Sequence, residues 1–124
     1  MTEGIVSSSD GLEIAVHHSD KSSTVRLRGR LDIHSSPALR DRLLSMLRVQ
    51  SSAAVNVDFI EVTYLDSSGI ATLIEALKIA RSQQTKLCLQ NLQDRLLHLF
   101  RATGILTLFE KSGCGSDSSV SQVS

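Results

Sequence analysis

The stretch Thr63-Tyr64-Leu65-Asp66-Ser67-Ser68-Gly69-Ile70 lies between two patterns of different period. Upstream, Ala53, Val55, Val57 and Phe59 follow the two-residue alternation of a strand. Downstream, Ile70, Leu73, Ile74 and Leu77 recur at helical spacing. Asp66-Ser67-Ser68-Gly69 therefore falls where a strand hands over to a helix. Backbone N–H groups at a helix N-terminus lack partners, and the macrodipole is positive there. Such an end favours an anion, and a phosphorylated serine is an anion.

The hydrophobic pattern places this turn inside an α/β arrangement. Leu12, Ile14 and Val16 alternate with Glu13, Ala15 and His17; Val25 and Leu27 alternate with Arg26 and Arg28. The short polar turn at 19–23 makes these two strands an antiparallel hairpin. Gly29 interrupts the second strand and predicts a bulge or a close backbone approach. Ser36-Pro37 predicts a helix start with Ser36 as the cap, and Leu39, Leu43, Leu44 and Leu47 predict one apolar face running to about Val49. The segment 53–59 is the third strand, 67–82 the second helix, and 86–90 a fourth strand. Leu92, Leu96, Leu97 and Phe100 mark a third helix, with Gly104 as its left-handed C-cap. Ile105 to Phe109 is expected to form a last strand.

Strand–helix–strand order implies parallel crossovers. The expected fold is a mixed sheet of four to five strands with an N-terminal antiparallel hairpin, parallel crossovers and helices packed on it. The ordered domain is expected over 11–111. Residues 1–10 either fray or add an edge strand. Residues 112–124, rich in Gly and Ser, are expected to be a disordered tail.

Composition narrows the function classes. The 124 residues fit one domain, with formal net charge +0. No basic footprint for direct nucleic-acid contact or an anionic membrane surface is present. Trp is absent, so stacking platforms for bases are poorly supplied. No apolar run is long enough for a membrane span. Met1-Thr2-Glu3-Gly4 does not open a signal peptide, so a cytoplasmic location is expected. The two cysteines, Cys88 and Cys114, form no C-x-x-C. A bridge between them stays open, but free thiols in a reducing compartment are the expectation.

The candidate chemistry is confined to the Asp-Ser-Ser-Gly turn. Asp and Ser are preferred capping residues, so a plain cap is one role for them. A phosphoacceptor is the other, since one cap needs one such residue and three stand in a row. Gly69 removes a side chain where another molecule would approach. A serine nucleophile needs a base within reach, and G-x-S-x-G is absent. His17 and His18 point to opposite faces of a strand, His34 opens a loop and His98 lies on a helix; none shows metal-ligand spacing. The glycines form no phosphate-cradling loop. No metal, cofactor or catalytic residue is expected. Arg26, Arg28 and Arg30 form either a solvated face or a docking surface for an acidic partner.

Three stretches in order carry a resemblance: Val25 to Asp32, closing in Gly29-Arg30-Leu31-Asp32; Val55 to Ile70, containing Asp66-Ser67-Ser68-Gly69; and Leu97 to Leu106. Together the chain resembles the STAS domain over about 11–111. The resemblance implies the STAS fold and an anti-sigma factor antagonist of a bacterial partner-switching pathway, not an enzyme. By that resemblance, the unphosphorylated form binds an anti-sigma factor that is a serine kinase, and the sigma factor is released. Phosphorylation of Ser67 abolishes binding, and a phosphoserine phosphatase resets the switch. Asp32, Asp66, Ser67, Ser68 and Gly69 form the expected partner-binding surface. The alternative is a constitutive STAS scaffold subunit of a larger signalling or transport complex, with Ser67 only capping the helix.

Overall fold

The computed structural model describes residues 5–9, 11–19, 21–49 and 53–109. Five strands and four helices follow in the order β1 (Ile5–Ser9), β2 (Leu12–His18), β3 (Ser22–Leu31), α1 (Ser36–Val49), β4 (Ala54–Leu65), α2 (Ser67–Ser82), β5 (Lys86–Gln90), α3 (Asp94–Thr103) and α4 (Ile105–Phe109). They form one sheet in the spatial order β1-β2-β3-β4-β5. The β1–β2 and β2–β3 pairs are antiparallel; β3–β4 and β4–β5 are parallel. Parallel neighbours need a crossover, and α1 and α2 supply the two that this sheet requires.

The apolar alternation decides which face is covered. Leu12, Ile14, Val16, Val25, Leu27 and Leu31 are buried in one cluster with Leu39, Leu43 and Leu47 of α1 and Leu73 and Leu77 of α2. Phe59 of β4 and Phe100 of α3 meet edge to face in the same core, ring centroids 5.8 Å apart. On the opposite face Arg26, Arg28 and Arg30 are exposed. Each is paired along the sheet: Arg26 with Asp58 at 3.6 Å, Arg28 with Glu13 at 3.7 Å and Arg30 with Asp32 at 3.5 Å. Each arginine thus has a carboxylate beside it, in pairs whose arginine is exposed and which contribute little.

Gly29 is both a bulge and a close approach. Its φ of +113° lies in the glycine-favoring region. A Cβ there would collide with the Gly11 carbonyl oxygen. The β3–β4 register slips on each side of it, between Arg26 and Arg28 and between Gly29 and Arg30. These slips let β4 run on to Leu65, beyond the end expected at Phe59.

Three expectations change. Ile105–Phe109 is helix α4, not a strand. Gly104 ends α3 in the left-handed conformation (φ +79°) and a second helical turn follows; Ile105, Leu106 and Phe109 are the buried residues, a helical spacing. The fifth strand is instead β1, which pairs Ile5 with Val16 and Ser9 with Leu12. Of the two roles open to residues 1–10, the edge strand therefore holds for 5–9. Cys88, half-buried on the edge strand β5, is disulfide-bonded rather than a free thiol. Cys114 and the tail from 112 lie outside the described residues. Among the described residues no helix is long and apolar enough to cross a membrane.

Candidate functional site

The site is built by two parallel strands that end level. Leu31 of β3 and Leu65 of β4 are register partners, and Asp66 N–H continues the ladder to Leu31 O at 3.3 Å. Each strand then enters a helix: β3 through the turn Asp32–Ser35 into α1, β4 through Asp66 into α2. Two helix starts and two aspartates are therefore brought to the carboxyl end of the sheet. This is where open α/β sheets bind ligands.

Asp66 is the cap of α2. Its backbone is extended (φ −124°, ψ −171°). Its Oδ1 accepts from Ser68 N–H at 3.0 Å, Gly69 N–H at 3.4 Å and the Ser68 hydroxyl at 2.6 Å. Ser68 is thus half-buried and tied to the cap. Ser67, the first helical residue, is exposed, and its hydroxyl has no hydrogen-bond partner among the described residues. The assignment of Ser67 as the capping side chain therefore fails, because Asp66 fills that role.

Gly69 also differs from expectation. It is buried, and a Cβ would stand 2.9 Å from Leu31 Cγ and 3.1 Å from Leu65 Cδ1. The missing side chain lets α2 start against the strand ends. It does not open a path for an incoming molecule.

The facing turn is equally constrained. Asp32 Oδ1 accepts from His34 N–H at 3.0 Å and Ser35 N–H at 3.2 Å, an Asx turn. The fully buried Ser35 hydroxyl donates to Arg30 O at 2.7 Å and accepts from Asp32 N–H at 3.0 Å. Ser36 was expected to cap α1. Its hydroxyl instead reaches the Ser68 hydroxyl at 3.4 Å and stitches the two helix starts together. Arg30 pairs with Asp32 and lies over the Tyr64 ring, 4.2 Å from its centroid.

The carboxylates stay ionised against one another. The Ser68 hydroxyl, with burial opposing it, and then the Ser68 and Gly69 N–H groups hold Asp66 below its ordinary 3.8, although the Asp32 charge pushes it up. Burial pushes Asp32 up, but the N–H groups of His34 and Ser35 and the charges of His34 and Arg30 outweigh it, so its carboxyl also lies below 3.8. The Asp66 carboxyl thus feels the Asp32 charge from the facing turn. No base engages Ser67 among the described residues, and no group of three His, Cys, Asp or Glu side chains converges there on a metal site.

Sequence reasoning missed three features here: the Arg30–Tyr64 stack, the exposed Ile33, and a groove of about 770 Å³ between Val62–Leu65 and the start of α3. The extension of β4 past its bulges places Tyr64 and this groove beside the turn. Irregular alternation after Phe59 hid it.

Comparisons with known proteins agree with this architecture. A family model described as "Mlab, STAS domain" matches residues 14–110. An anti-sigma-B factor antagonist of Bacillus subtilis (strain 168) is 28% identical over 101 residues, covering 82% of this chain and 91% of that protein. An anti-sigma-B factor antagonist of Listeria monocytogenes is 33% identical over 82 residues, covering 66% of this chain and 71% of that protein. Among solved structures, the anti-sigma factor antagonist SpoIIAA in its unphosphorylated form superposes with a TM-score of 0.66 at 17% identity, covering 73% of this chain and 80% of that one. An anti-sigma factor antagonist from Mycobacterium paratuberculosis gives a TM-score of 0.66 at 21% identity, covering 79% and 82%. These two likenesses bear on the fold, and the family match and the sequence relatives on descent: the chain belongs to the STAS-domain family, in its anti-sigma factor antagonist branch.

Proposed function

We propose that this protein is a phosphorylation-controlled switch: its unphosphorylated form binds an anti-sigma factor that is a serine kinase, and phosphate on Ser67 ends the binding. A phosphoserine phosphatase resets it. The protein is the substrate in this cycle, without a catalytic centre of its own, and it works in the cytoplasm without contacting nucleic acid. The single observation that carries the proposal is the division of labour at the turn. Asp66 and Ser68 complete the cap, which leaves the Ser67 hydroxyl exposed and unengaged among the described residues.

Phosphate adds about −1.5 to −2 charges at neutral pH. The α2 N-terminus tolerates that charge within the fold. A partner seated on the small turn formed by Asp32, Asp66, Ser67 and Ser68 does not, because the dianion must be desolvated beside two carboxylates. Gly69 lies beneath this surface and shapes it. Moving a complex from nearly all bound to nearly all free takes about 5.5 kcal/mol of differential affinity, the order of energy available to a desolvated dianion.

Phosphosite mapping tests this. The purified protein is incubated with ATP and lysate of its source cell, alongside Ser67→Ala, and the peptide carrying Ser67 is read by mass spectrometry. Phosphate on Ser67, lost in the variant, is expected. An unmodified Ser67 in a lysate with active kinases would move the assignment to a constitutive scaffold subunit.

A further inference from the structure

Four large apolar side chains are exposed among the described residues: Ile33, Ile60, Tyr64 and Leu108. A lone exposed Ile is ordinary. Ile33 and Tyr64, however, stand at the same end of the sheet as Ser67: Ile33 follows the end of β3 at Leu31, and Tyr64 is the penultimate residue of β4, paired with Arg30. Ile33 is the most exposed of the four, at 66%. Its backbone cannot withdraw it. The Asx turn of Asp32 and the buried Ser35 hydroxyl, bonded to Arg30 O, fix the loop on both sides of it. Tyr64 is fixed as well, beneath the Arg30 guanidinium, and Arg30 in turn pairs with Asp32.

An apolar side chain carried on a backbone already held in place adds little ordering cost for that loop on docking. Interfaces draw most of their affinity from a few such anchors, while charged rims steer and select. The surface of Asp32, Asp66, Ser67 and Ser68 is polar and supplies a rim without an anchor. Ile33, exposed in the Asx turn of Asp32, supplies the anchor.

The geometry points to Ile33, supported by Tyr64, as the apolar anchor by which the unphosphorylated protein holds the Ser67 kinase, seated in an apolar socket of that kinase rimmed by arginine or lysine. The basic rim follows from charge complementarity with Asp32 and Asp66. This inference rests on the function proposed above. It adds that affinity and phosphate control are separable: Ile33 binds, and Ser67 releases.

The test uses the kinase purified from the source cell by its Ser67-phosphorylating activity. Its dissociation constant for the full chain is measured by calorimetry for wild type, Ile33→Ala, Ile33→Asp and the control Ile60→Ala, with KM and kcat for phosphorylation. Ile33→Ala is expected to weaken binding at least about tenfold, Ile33→Asp further, with KM rising and kcat unchanged. Ile60→Ala is expected to stay within about twofold. Circular dichroism melts matching wild type confirm that the exposed substitutions leave the fold intact. A dissociation constant for Ile33→Ala within about twofold of wild type overturns the anchor and leaves the switch standing. Absence of any Ser67 kinase overturns the proposed function and this inference with it.

Discussion

Ser68 donates a 2.6 Å hydrogen bond to Asp66 Oδ1, across the intervening Ser67. The two serines are adjacent in sequence and opposite in circumstance. Ser68 is held by a carboxylate and joined to Ser36 of the other helix start. Ser67 points outward from the first position of α2. Which of two neighbouring hydroxyls is available to another protein is decided here by which one the cap consumes.

Stability should separate the two serines. Ser68→Ala removes a hydrogen bond to a charged acceptor and is expected to cost about 1–2 kcal/mol. Ser67→Ala removes no partner among the described residues and is expected to stay within about 0.5 kcal/mol of wild type. Urea denaturation of the two variants measures both. Equal losses would mean that Ser67 also supports the turn.

Gly69→Ala tests whether this glycine serves packing. The added methyl meets Leu31 Cγ at 2.9 Å and Leu65 Cδ1 at 3.1 Å, and Leu31 is fully buried with nowhere to yield. Overpacking of this kind costs about 1–3 kcal/mol, against about 1 kcal/mol gained from alanine's helix propensity. A net loss of about 1 kcal/mol is expected from thermal or urea melts. A variant as stable as wild type would show that α2 shifts freely at its start.

The pH dependence of stability follows from Asp66 and Asp32, whose folded carboxyls lie below their ordinary 3.8. The unfolded chain then binds more protons than the folded one as pH falls. The stabilisation is fully present above the unfolded value and is lost as pH drops through the folded one. Glu75, held below its ordinary 4.5 by the Arg40 hydrogen bonds, adds to the same acid limb. The informative quantity is therefore the difference between wild type and Asp66→Asn, since asparagine still caps a helix but does not titrate. Urea midpoints from pH 7 down to about pH 3 are expected to fall less steeply in the variant. Parallel curves would remove Asp66 from the acid response.

Much of this was legible in the chain. Leu39, Leu43, Leu44 and Leu47 were assigned to the buried face of α1 and are buried. The hairpin of β2 and β3 and the placement of Asp66-Ser67-Ser68-Gly69 at a strand-to-helix junction follow from a change of period, a signal that survives without tertiary information. Ile105–Phe109 failed because five apolar-rich residues satisfy either period. Its helix is decided by the approach of Ile105, Leu106 and Phe109 to the core. The cap was legible as a composition and not as an assignment. Asp66, Ser67 and Ser68 are all competent caps, and only the extended backbone of Asp66 selects among them. Ser36 was misassigned for a related reason: its distance to Ser68 depends on two strands ending level, which no local pattern encodes.

A negative charge on Ser67 should leave the fold in place. The N-terminus of α2 favours an anion by about 0.3–1 kcal/mol when exposed. Asp66 and Asp32 oppose it with their own ionised carboxyls. The two contributions are of opposite sign. Ser67→Asp and enzymatically phosphorylated protein are therefore expected to unfold within about 0.5 kcal/mol of wild type. Amide chemical shift changes in heteronuclear NMR spectra are expected to be confined to the two helix starts. Any loss of partner binding then belongs to the interface, through desolvation and repulsion of the dianion, and not to a rearranged antagonist. Shifts reaching β1 or α4, or a stability loss of several kcal/mol, would require a conformational switch instead, and an anchor at Ile33 would then move with it.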